Sequence, residues 1–299
     1  MAASVGSQAK LGVGPTSPVT EPLEFLSESL RATKTILDTS GIRGTRSHSS
    51  ERTRGGTYAV SGSITMNPSP SELNDLLEYI MGGTPTVGTP VGKTTFPLGE
   101  TLPAAFFVTV DRVAKVFTYN LCKIVRATFR ASEGSLLEVT IDVEGGTETV
   151  ANAGTFPALT LGTDAPFVFH DGVLTMQAGA RAIKDFELII DNVADTTRFM
   201  NSQTRAEIPI IDRVVTLRCT TAYTSSETAL YDQAVAGAAA NMTLTNGNYS
   251  LNFDIPGVLQ VPAATPIVSS KGEILLAMEG VARKSGSSAE LSVILDLTG

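Results

Sequence analysis

The sequence predicts a mainly β protein made of two tandem domains, each with an α-helix beside its strands. Three observations predict this fold class: short segments with alternating apolar residues, a composition typical of strands and turns, and one pattern of strand, helix and hairpin that occurs twice. Only 6% of the residues are aromatic, and Trp is absent. The 299 residues allow each domain its own core. We expect an arm at 1–30 and domains at 31–160 and 161–299.

The first copy of the pattern begins with an alternating strand from Thr57 to Met66. A capping box follows from Ser69 to Glu72, in which the hydroxyl and the carboxylate satisfy free amides at a helix start. The helix is expected to end at Gly82, because glycine tolerates the left-handed conformation after a helix. The apolar residues at helical spacing are Leu73, Leu76, Leu77 and Ile80.

The second copy lies about 155 residues further along the chain. Its strand runs from Arg213 to Tyr223, and its capping box runs from Thr224 to Glu227. The helix that follows is expected to end at Gly237. Its apolar residues form a weaker helical pattern, with Ala229, Leu230, Ala234 and Val235.

Both copies end in an expected hairpin with a charge pair across it. In the first, a three-residue loop at 133–135 sets Arg130 opposite Glu138, and Arg126 opposite Asp142. In the second, a Gly286-Ser287 turn sets Arg283 opposite Glu290. The same elements in the same order predict an internal duplication.

Two long loops interrupt these elements. The polar loop 38–54 holds the one basic cluster of the chain, and the loop 82–103 is rich in Gly, Pro and Thr. A solvated loop is the simpler interpretation of the basic cluster. The functional interpretation is contact with an acidic surface of another copy, since loops of this length are unusual without a role. The cluster consists of Arg43, Arg46, Arg52 and Arg54.

No motif predicts a catalytic, cofactor or metal site. The segment from Gly88 to Thr94 resembles a phosphate-binding loop, but only three residues separate its first glycine from the Gly-Lys pair, and four are required. Two histidines, His48 and His170, give little material for a catalytic triad or a metal site. Cys122 and Cys219 lie in predicted strands and are expected to be reduced thiols.

The charge and hydropathy of the chain exclude further classes of protein. The net charge is −8, which argues against a protein that grips nucleic acid through phosphate contacts. No apolar stretch is long enough to predict a membrane helix, and the N-terminus lacks signal-peptide features, so we expect synthesis in the cytoplasm. The strands show few edge-blocking residues. Pairing with other subunits, closed into a ring, would cover such edges.

Three segments of the chain resemble a known protein family. They are Ile36 to Arg46 (ILDTSGIRGTR), Tyr58 to Leu73 (YAVSGSITM followed by NPSPSEL) and Phe186 to Asn192 (FELIIDN). These segments resemble the tail tube proteins of long-tailed bacteriophages. The resemblance spans most of the chain, with little contribution from 1–30 and 83–103.

The resemblance implies a tube fold, which is a β-sandwich with a flanking helix. The inner sheets of such domains join into a ring-shaped barrel, and the rings stack into a hollow tail. The implied function is that of a structural virion protein, not an enzyme, assembled in the host cytoplasm. Most family members use one tube domain per chain in sixfold rings, so two domains per chain imply homotrimer rings with pseudo-sixfold symmetry.

The resemblance also implies partners and sites. The tube would enclose a tape-measure protein, meet tail terminator and distal tail proteins at its ends, and pass DNA without specific binding; no cofactor or membrane is implied. Arg43, Arg46, Arg52, Arg54 and the arm are the expected contacts between stacked rings. Negative residues in the lumen would repel DNA phosphates and let the duplex slide. The candidate lumen or strand-face acids are Glu138, Asp142, Glu144, Glu290 and Asp296.

A different phage structural protein is the alternative function. A baseplate, tail-tip or capsid decoration protein would share the β-rich composition and the tendency to assemble. Closed discs without stacking, or no self-assembly, would favour that alternative. An enzyme would need a buried pocket with perturbed ionisable groups, for which the sequence gives no support.

Overall fold

A computed structural model describes residues 4–39, 41–42, 44–88, 92–100, 104–176, 179–223, 237–262, 266, 268 and 271–298. This part of the chain is mainly β, as predicted, with one α-helix, α1 (Pro70–Met81). The strands of the first half are β1 (Lys10–Gly14), β2 (Glu21–Leu23), β3 (Ser27–Glu28), β4 (Arg31–Leu37), β5 (Arg54–Met66), β6 (Thr86–Val87), β7 (Lys93–Pro97), β8 (Phe106–Asp111), β9 (Lys115–Ser132), β10 (Glu138–Gly145) and β11 (Thr147–Asn152). Those of the second half are β12 (Gly172–Met176), β13 (Gly179–Arg181), β14 (Ile183–Ala194), β15 (Ile210–Ala222), β16 (Ala238–Asn246), β17 (Tyr249–Gln260), β18 (Leu275–Arg283) and β19 (Ser292–Asp296).

The long strand β9 takes part in two sheets of the first half. Up to Cys122 it lies between β8 and β11, in the antiparallel order β2–β1–β8–β9–β11. Beyond that point it lies between β10 and β14. The change coincides with Leu121, whose φ of 52° is uncommon outside glycine and bends the strand.

One antiparallel sheet crosses both halves of the chain, and we call it the shared sheet. Its order is β4–β5–β10–β9–β14–β15–β18–β17. The pair β9–β14 joins the two halves, from Ser132 opposite Asp185 to Arg126 opposite Asp191. One end of this sheet is β4. At the other end Val258 to Gln260 of β17 pair with β18, and Leu259 also pairs with Ala238 of β16 on the opposite side.

The strand β17 also changes partners along its length. Its last residues pair with β18, whereas Ser250 to Asp254 pair with β19. On its other side β17 pairs with β16, which continues to β12 and β13. The strands β7 and β6, from the loop 82–103, extend this sheet beyond β19.

The helix α1 has the capping predicted from the sequence. The Ser69 side chain accepts from the Glu72 amide, Glu72 binds the Ser69 amide in return, and the helix ends at Gly82 with φ 70°. Its apolar face packs into the core, where the rings of Tyr79 and Phe106 stack with centroids 4.4 Å apart. The buried residues predicted from the helical spacing are Leu73, Leu76, Leu77 and Ile80.

A continuous hydrophobic core extends through both halves of the described chain. Phe129 of β9 and Phe253 of β17 meet edge to face with centroids 5.0 Å apart. Asn192 is 2% exposed and donates to the carbonyls of Ile80 and Ile124 at 3.1 and 3.3 Å, which ties β14 to α1 and β9. The two halves are therefore packed against each other and not only linked in sequence.

Two loop expectations differ from the structure. From Lys10 onward the expected arm is part of the fold, because Leu11 and Leu23 are buried and Arg112 binds Glu28 at 2.8 Å. The loop 82–103 contributes β7, which β19 holds through five residue pairs.

The first predicted hairpin has the expected register, and the second does not. Arg130 lies opposite Glu138, and Arg126 lies opposite Asp142. The Gly286-Ser287 turn forms between Ser285 and Ser288, but Arg283 lies opposite Val258 in β17. The prediction that Arg283 faces Glu290 is therefore wrong, because β18 and β19 each pair with β17 instead of with one another. The predicted helix after Thr224 lies outside the described residues.

Candidate functional site

The shared sheet has one face in the core and one polar face, which we call the polar sheet face. Alternation along β10 buries Val139, Ile141 and Val143 and turns the residues between them outward. The same alternation holds along β15 and β18 and along β9 from Arg126 onward, and in β14 it is interrupted by the buried Ile189. The charged residues of this face are Glu138, Asp142, Glu144, Asp185, Glu187, Asp191, Asp212, Glu279, Arg31, Lys123, Arg126, Arg130, Arg218 and Arg283.

A row of alternating charges crosses five strands of the polar sheet face. In order, the residues opposite one another are Glu138, Arg130, Glu187, Arg218 and Glu279. Arg130 binds Glu138 at 2.6 Å, and Arg218 binds Glu187 at 2.9 Å and Glu279 at 3.1 Å. Each arginine of the row thus lies between two carboxylates.

A second row repeats this arrangement four residues earlier in β9. Arg126 lies opposite Asp142 on one side and opposite Asp191 on the other. Burial raises the pKa of the Asp142 carboxyl, Arg126 opposes the rise, and Asp191 adds to it. Between the two charged rows lies an uncharged one, with Thr65, Thr140, Thr128, Ile189, Thr216 and Val281.

The polar sheet face carries more negative than positive charge. Its described part holds eight carboxylates, five arginines and one lysine, an excess of two negative charges. An electrostatic surface of this kind repels phosphate groups at short range and is screened by salt beyond about 10 Å. A hollow of about 670 Å³ lies on this face, and Arg130, Glu138 and Glu187 of the first charged row are among the residues that line it.

The structure brings three of the five predicted acids together. Glu138, Asp142 and Glu144 share the polar sheet face. Glu290 lies elsewhere, with its carboxylate 3.6 Å from the guanidinium of Arg213, and Asp296 lies on β19. Hydrogen bonds from the Thr298 hydroxyl and amide lower the pKa of the Asp296 carboxyl. The sequence did not lead us to the acids of β14 and β18. In β14 the spacing of Asp185, Glu187 and Asp191, at every second or fourth residue, indicates a polar strand face.

Residues 44–54, which we call the arginine loop, form an exposed charged segment. Arg46, Arg52 and Arg54 are exposed and form no ion pair with any described residue, and Arg43 lies outside the described residues. His48 lies 2.9 Å from Asp38 and holds the base of the loop. Three cations without partners make this loop a candidate contact surface.

A groove lies beside the first residues of β15. It has a volume of about 420 Å³, and Ile211, Asp212, Glu100 and Glu290 line it. The strand β18 pairs with β15 only from Thr216 onward, so the earlier part of β15 has β14 as its one strand partner in the described chain. The groove therefore exposes a strand edge as well as carboxylates.

The described residues do not assemble other chemistry. They contain no group of three metal-ligating side chains, and no described helix is long and apolar enough to cross a membrane. Lys93 of the phosphate-loop lookalike begins β7, while residues 89–91 of that segment lie outside the description. Cys122 and Cys219 are buried in β9 and β15 as free thiols, and burial raises the pKa of each to about 12.

The chain was compared with models of known protein families and with curated proteins. Residues 2–282 match a family model described as phage tail tube protein. No curated protein matches the chain.

Proposed function

The chain belongs to the phage tail tube protein family and is a structural protein of the virion tail, and we propose that three copies close into a ring whose stacked repeats form the tube. The observation that carries this proposal is the β9–β14 junction. This junction joins the two halves of one chain edge to edge, and the same kind of junction between copies would close a ring.

An internal duplication supports three copies for each ring. Seven strand pairings recur in the same chain order in the two halves. They are β1–β2, β1–β8, β4–β5, β5–β10, β8–β9, β9–β10 and β9–β11 in the first half, and β12–β13, β12–β16, β14–β15, β15–β18, β16–β17, β17–β18 and β17–β19 in the second. We propose that each half is one tube domain, so three chains supply six domains.

The ends of the shared sheet match the strands of its internal junction. In the pairing order, β4 corresponds to β14, and β17 corresponds to β9. The pair β9–β14 thus gives the template for a junction between β17 of one copy and β4 of the next. Such a closed ring leaves no free edge in the shared sheet.

The resulting barrel is wide enough to be hollow. Three copies of the eight-stranded shared sheet supply 24 strands in the described part of the chain. At about 4.8 Å between strands, the circumference is about 115 Å and the diameter about 37 Å. Barrels of 16 to 18 strands already enclose an aqueous channel.

The polar sheet face is proposed to line this channel. The opposite face is covered by the core, α1 and the other sheets, so the polar face is the one that a closed ring would turn inward. Arg126, Arg130 and Arg218 each lie between two carboxylates, and ion pairs engage the guanidinium groups of Arg130 and Arg218 that would otherwise bind phosphate. The channel would therefore pass DNA without holding it.

The remaining partners follow from a tube of this kind. We propose that assembly occurs in the host cytoplasm, that a tape-measure protein fills the tube before DNA enters, and that terminator and distal tail proteins cap its ends. The role proposed is mechanical and not catalytic.

Purified protein tests the proposal through the mass and shape of its assemblies. Native mass spectrometry is expected to show rings of about 94 kDa, three times the 31.3 kDa chain, and negative-stain images are expected to show tubes with a central hole. Duplex DNA added at physiological salt is expected to remain unbound. Rings of six chains would contradict the stoichiometry, and a protein that stays monomeric at high concentration would contradict the function.

A further inference from the structure

We infer that residues 44–54 of one copy bind the groove beside β15 in the neighbouring copy of the same ring. This inference rests on the proposed ring and names a second contact within it, apart from the junction between β17 and β4. It gives the arginine loop a partner inside a ring, whereas the sequence predicts a contact between stacked rings.

The first half shows this contact already made within one chain. The loop 195–209, which connects β14 to β15, lies beside the start of β5. The Tyr58 amide donates to the carbonyl of Gln203 at 2.6 Å, and the Gln203 side chain donates to the carbonyl of Gly55 at 3.2 Å. Arg205 of the same loop binds Glu144 and is almost fully buried. The backbone of β5 and the carboxylate of Glu144 thus bind the loop 195–209.

The second half has the corresponding edge without an occupant in the described chain. β15 corresponds to β5 in the pairing order, and its first residues, from Ile210 to Arg213, border the groove. The Arg213 amide donates to the neighbouring Asp212 carboxylate at 2.8 Å, where the Tyr58 amide has a loop carbonyl. Ile211 is 67% exposed.

Chain order identifies residues 44–54 as the occupant. The segment 38–53 connects β4 to β5 as 195–209 connects β14 to β15, and the two have nearly equal lengths of 16 and 15 residues. The loop 195–209 passes the β9–β14 junction to reach β5 of the first half. Across a junction between β17 and β4, the loop 44–54 would reach β15 of the neighbour in the same way.

Exposure and charge support the same occupant. The described residues of segment 38–53 are exposed except for Ser49, whereas Ile208 in the loop 195–209 is fully buried. Residues 44–54 carry three arginines and one carboxylate, Glu51. In the groove, Glu290 lies near Arg213, and Lys284 lies 3.9 Å from Glu100, which leaves Asp212 without a cation among the described residues. Asp212 is thus the carboxylate that an arginine of the loop would meet.

Charge reversal tests the contact. The double variant R46E/R52E is expected to raise the concentration needed for ring formation about tenfold. The matched control K10E/K115E makes the same change of charge at two exposed lysines that do not line the groove, and it is expected to assemble like the wild type. Adding Asp212→Arg to R46E/R52E is expected to recover at least part of the loss. Equal assembly of R46E/R52E and the control would overturn the inference.

Disulfide trapping then distinguishes a contact within a ring from one between rings. Ser47→Cys combined with Ile211→Cys is expected to give covalent dimers and trimers from isolated single rings, while either variant alone gives none. Cys122 and Cys219 are buried, so they contribute little background. Cross-links that appear only in stacked tubes, or normal rings of R46E/R52E that fail to stack, would refute this contact and leave the proposed function intact. Wild-type protein that forms no rings would refute both.

Discussion

At the residue scale, Arg130 in the middle of the polar sheet face lies between two carboxylates, and only one of the two is near in sequence. Arg130 faces Glu138 across a short hairpin, so turn length and charge predict that pair. Its second neighbour, Glu187, belongs to β14 in the other half. No local pattern specifies which distant strand completes a sheet, and the sequence therefore predicted half of this arrangement.

The carboxyl of Asp142 gives a prediction about pH. Burial raises its pKa above the usual 3.8, so the folded protein binds this proton more tightly than the unfolded chain does. The contribution of Asp142 to stability is therefore fully present below pH 3.8 and is lost as the pH rises through the raised pKa. Because asparagine stays neutral, the melting temperature of D142N minus that of the wild type is expected to increase from about pH 3.5 to about pH 6.

Asp195 is the matched control for this measurement, with the opposite sign. Hydrogen bonds from the Thr197 hydroxyl and amide, with a further one from Arg198, lower the pKa of its carboxyl. Its contribution to stability is present above the usual pKa and is lost as the pH falls. The melting temperature of D195N minus that of the wild type is thus expected to decrease over the same rise in pH. Parallel trends in the two variants would contradict both assignments.

At the element scale, the helix was predicted almost completely, because its signals are local. A capping box, a helical row of apolar residues and a terminal glycine lie within 14 residues, from Ser69 to Gly82. The strand β7 was missed for the opposite reason. Its partner β19 lies near the end of the chain, and the sequence KTTFP between Gly- and Pro-rich segments reads as loop.

The capping box supplies the prediction at this scale. Ser69→Ala is expected to lower the free energy of unfolding by about 1 kcal/mol, because one amide at the helix start loses its acceptor. Glu72→Ala is expected to cost more. Its carboxylate accepts from the Ser69 amide at 2.8 Å, the Ser69 hydroxyl at 2.9 Å and the Glu24 amide at 2.6 Å, so it also holds the chain between β2 and β3.

Chemical denaturation of dissociated protein measures these changes. Ser50→Ala is the control, since Ser50 is exposed and its side chain caps no helix, and it is expected to change the free energy of unfolding by less than about 0.5 kcal/mol. A larger loss for Ser69→Ala than for Glu72→Ala would mean that the carboxylate does not link the helix to the N-terminal strands.

At the scale of the whole molecule, composition and edge chemistry predicted assembly, and the pairing order now indicates how the copies would join. The two predicted charge-paired hairpins proved not to correspond, because the hairpin β9–β10 matches β17–β18 and not the turn at Gly286. What recurs in the two halves is the order in which the strands pair. The short sequence motifs matched this order only in part. Residues of similar charge pattern recur by chance more easily than seven pairings in one order.

The outer edge of β4 allows ring closure to be tested with one residue. The Ser29 amide donates to the carbonyl of Ser63 at 2.9 Å, and donors alternate along an antiparallel pair, so the amide of Ala32 points away from β5 toward the proposed neighbour. Ala32→Pro removes that donor without removing a bond to β5, and proline is tolerated at a sheet edge. We expect A32P to fold as a monomer with a nearly unchanged circular dichroism spectrum.

In the same variant, we expect ring formation to be lost at concentrations where the wild type is fully assembled, as measured by analytical ultracentrifugation. Ala32→Ser keeps the amide and is expected to assemble normally. A closed barrel needs every junction, and each copy contributes one β4 edge. A small fraction of A32P mixed with wild-type protein is therefore expected to lower the number of closed rings sharply. Rings of normal mass formed by A32P alone would show that β4 is not the strand that joins the copies.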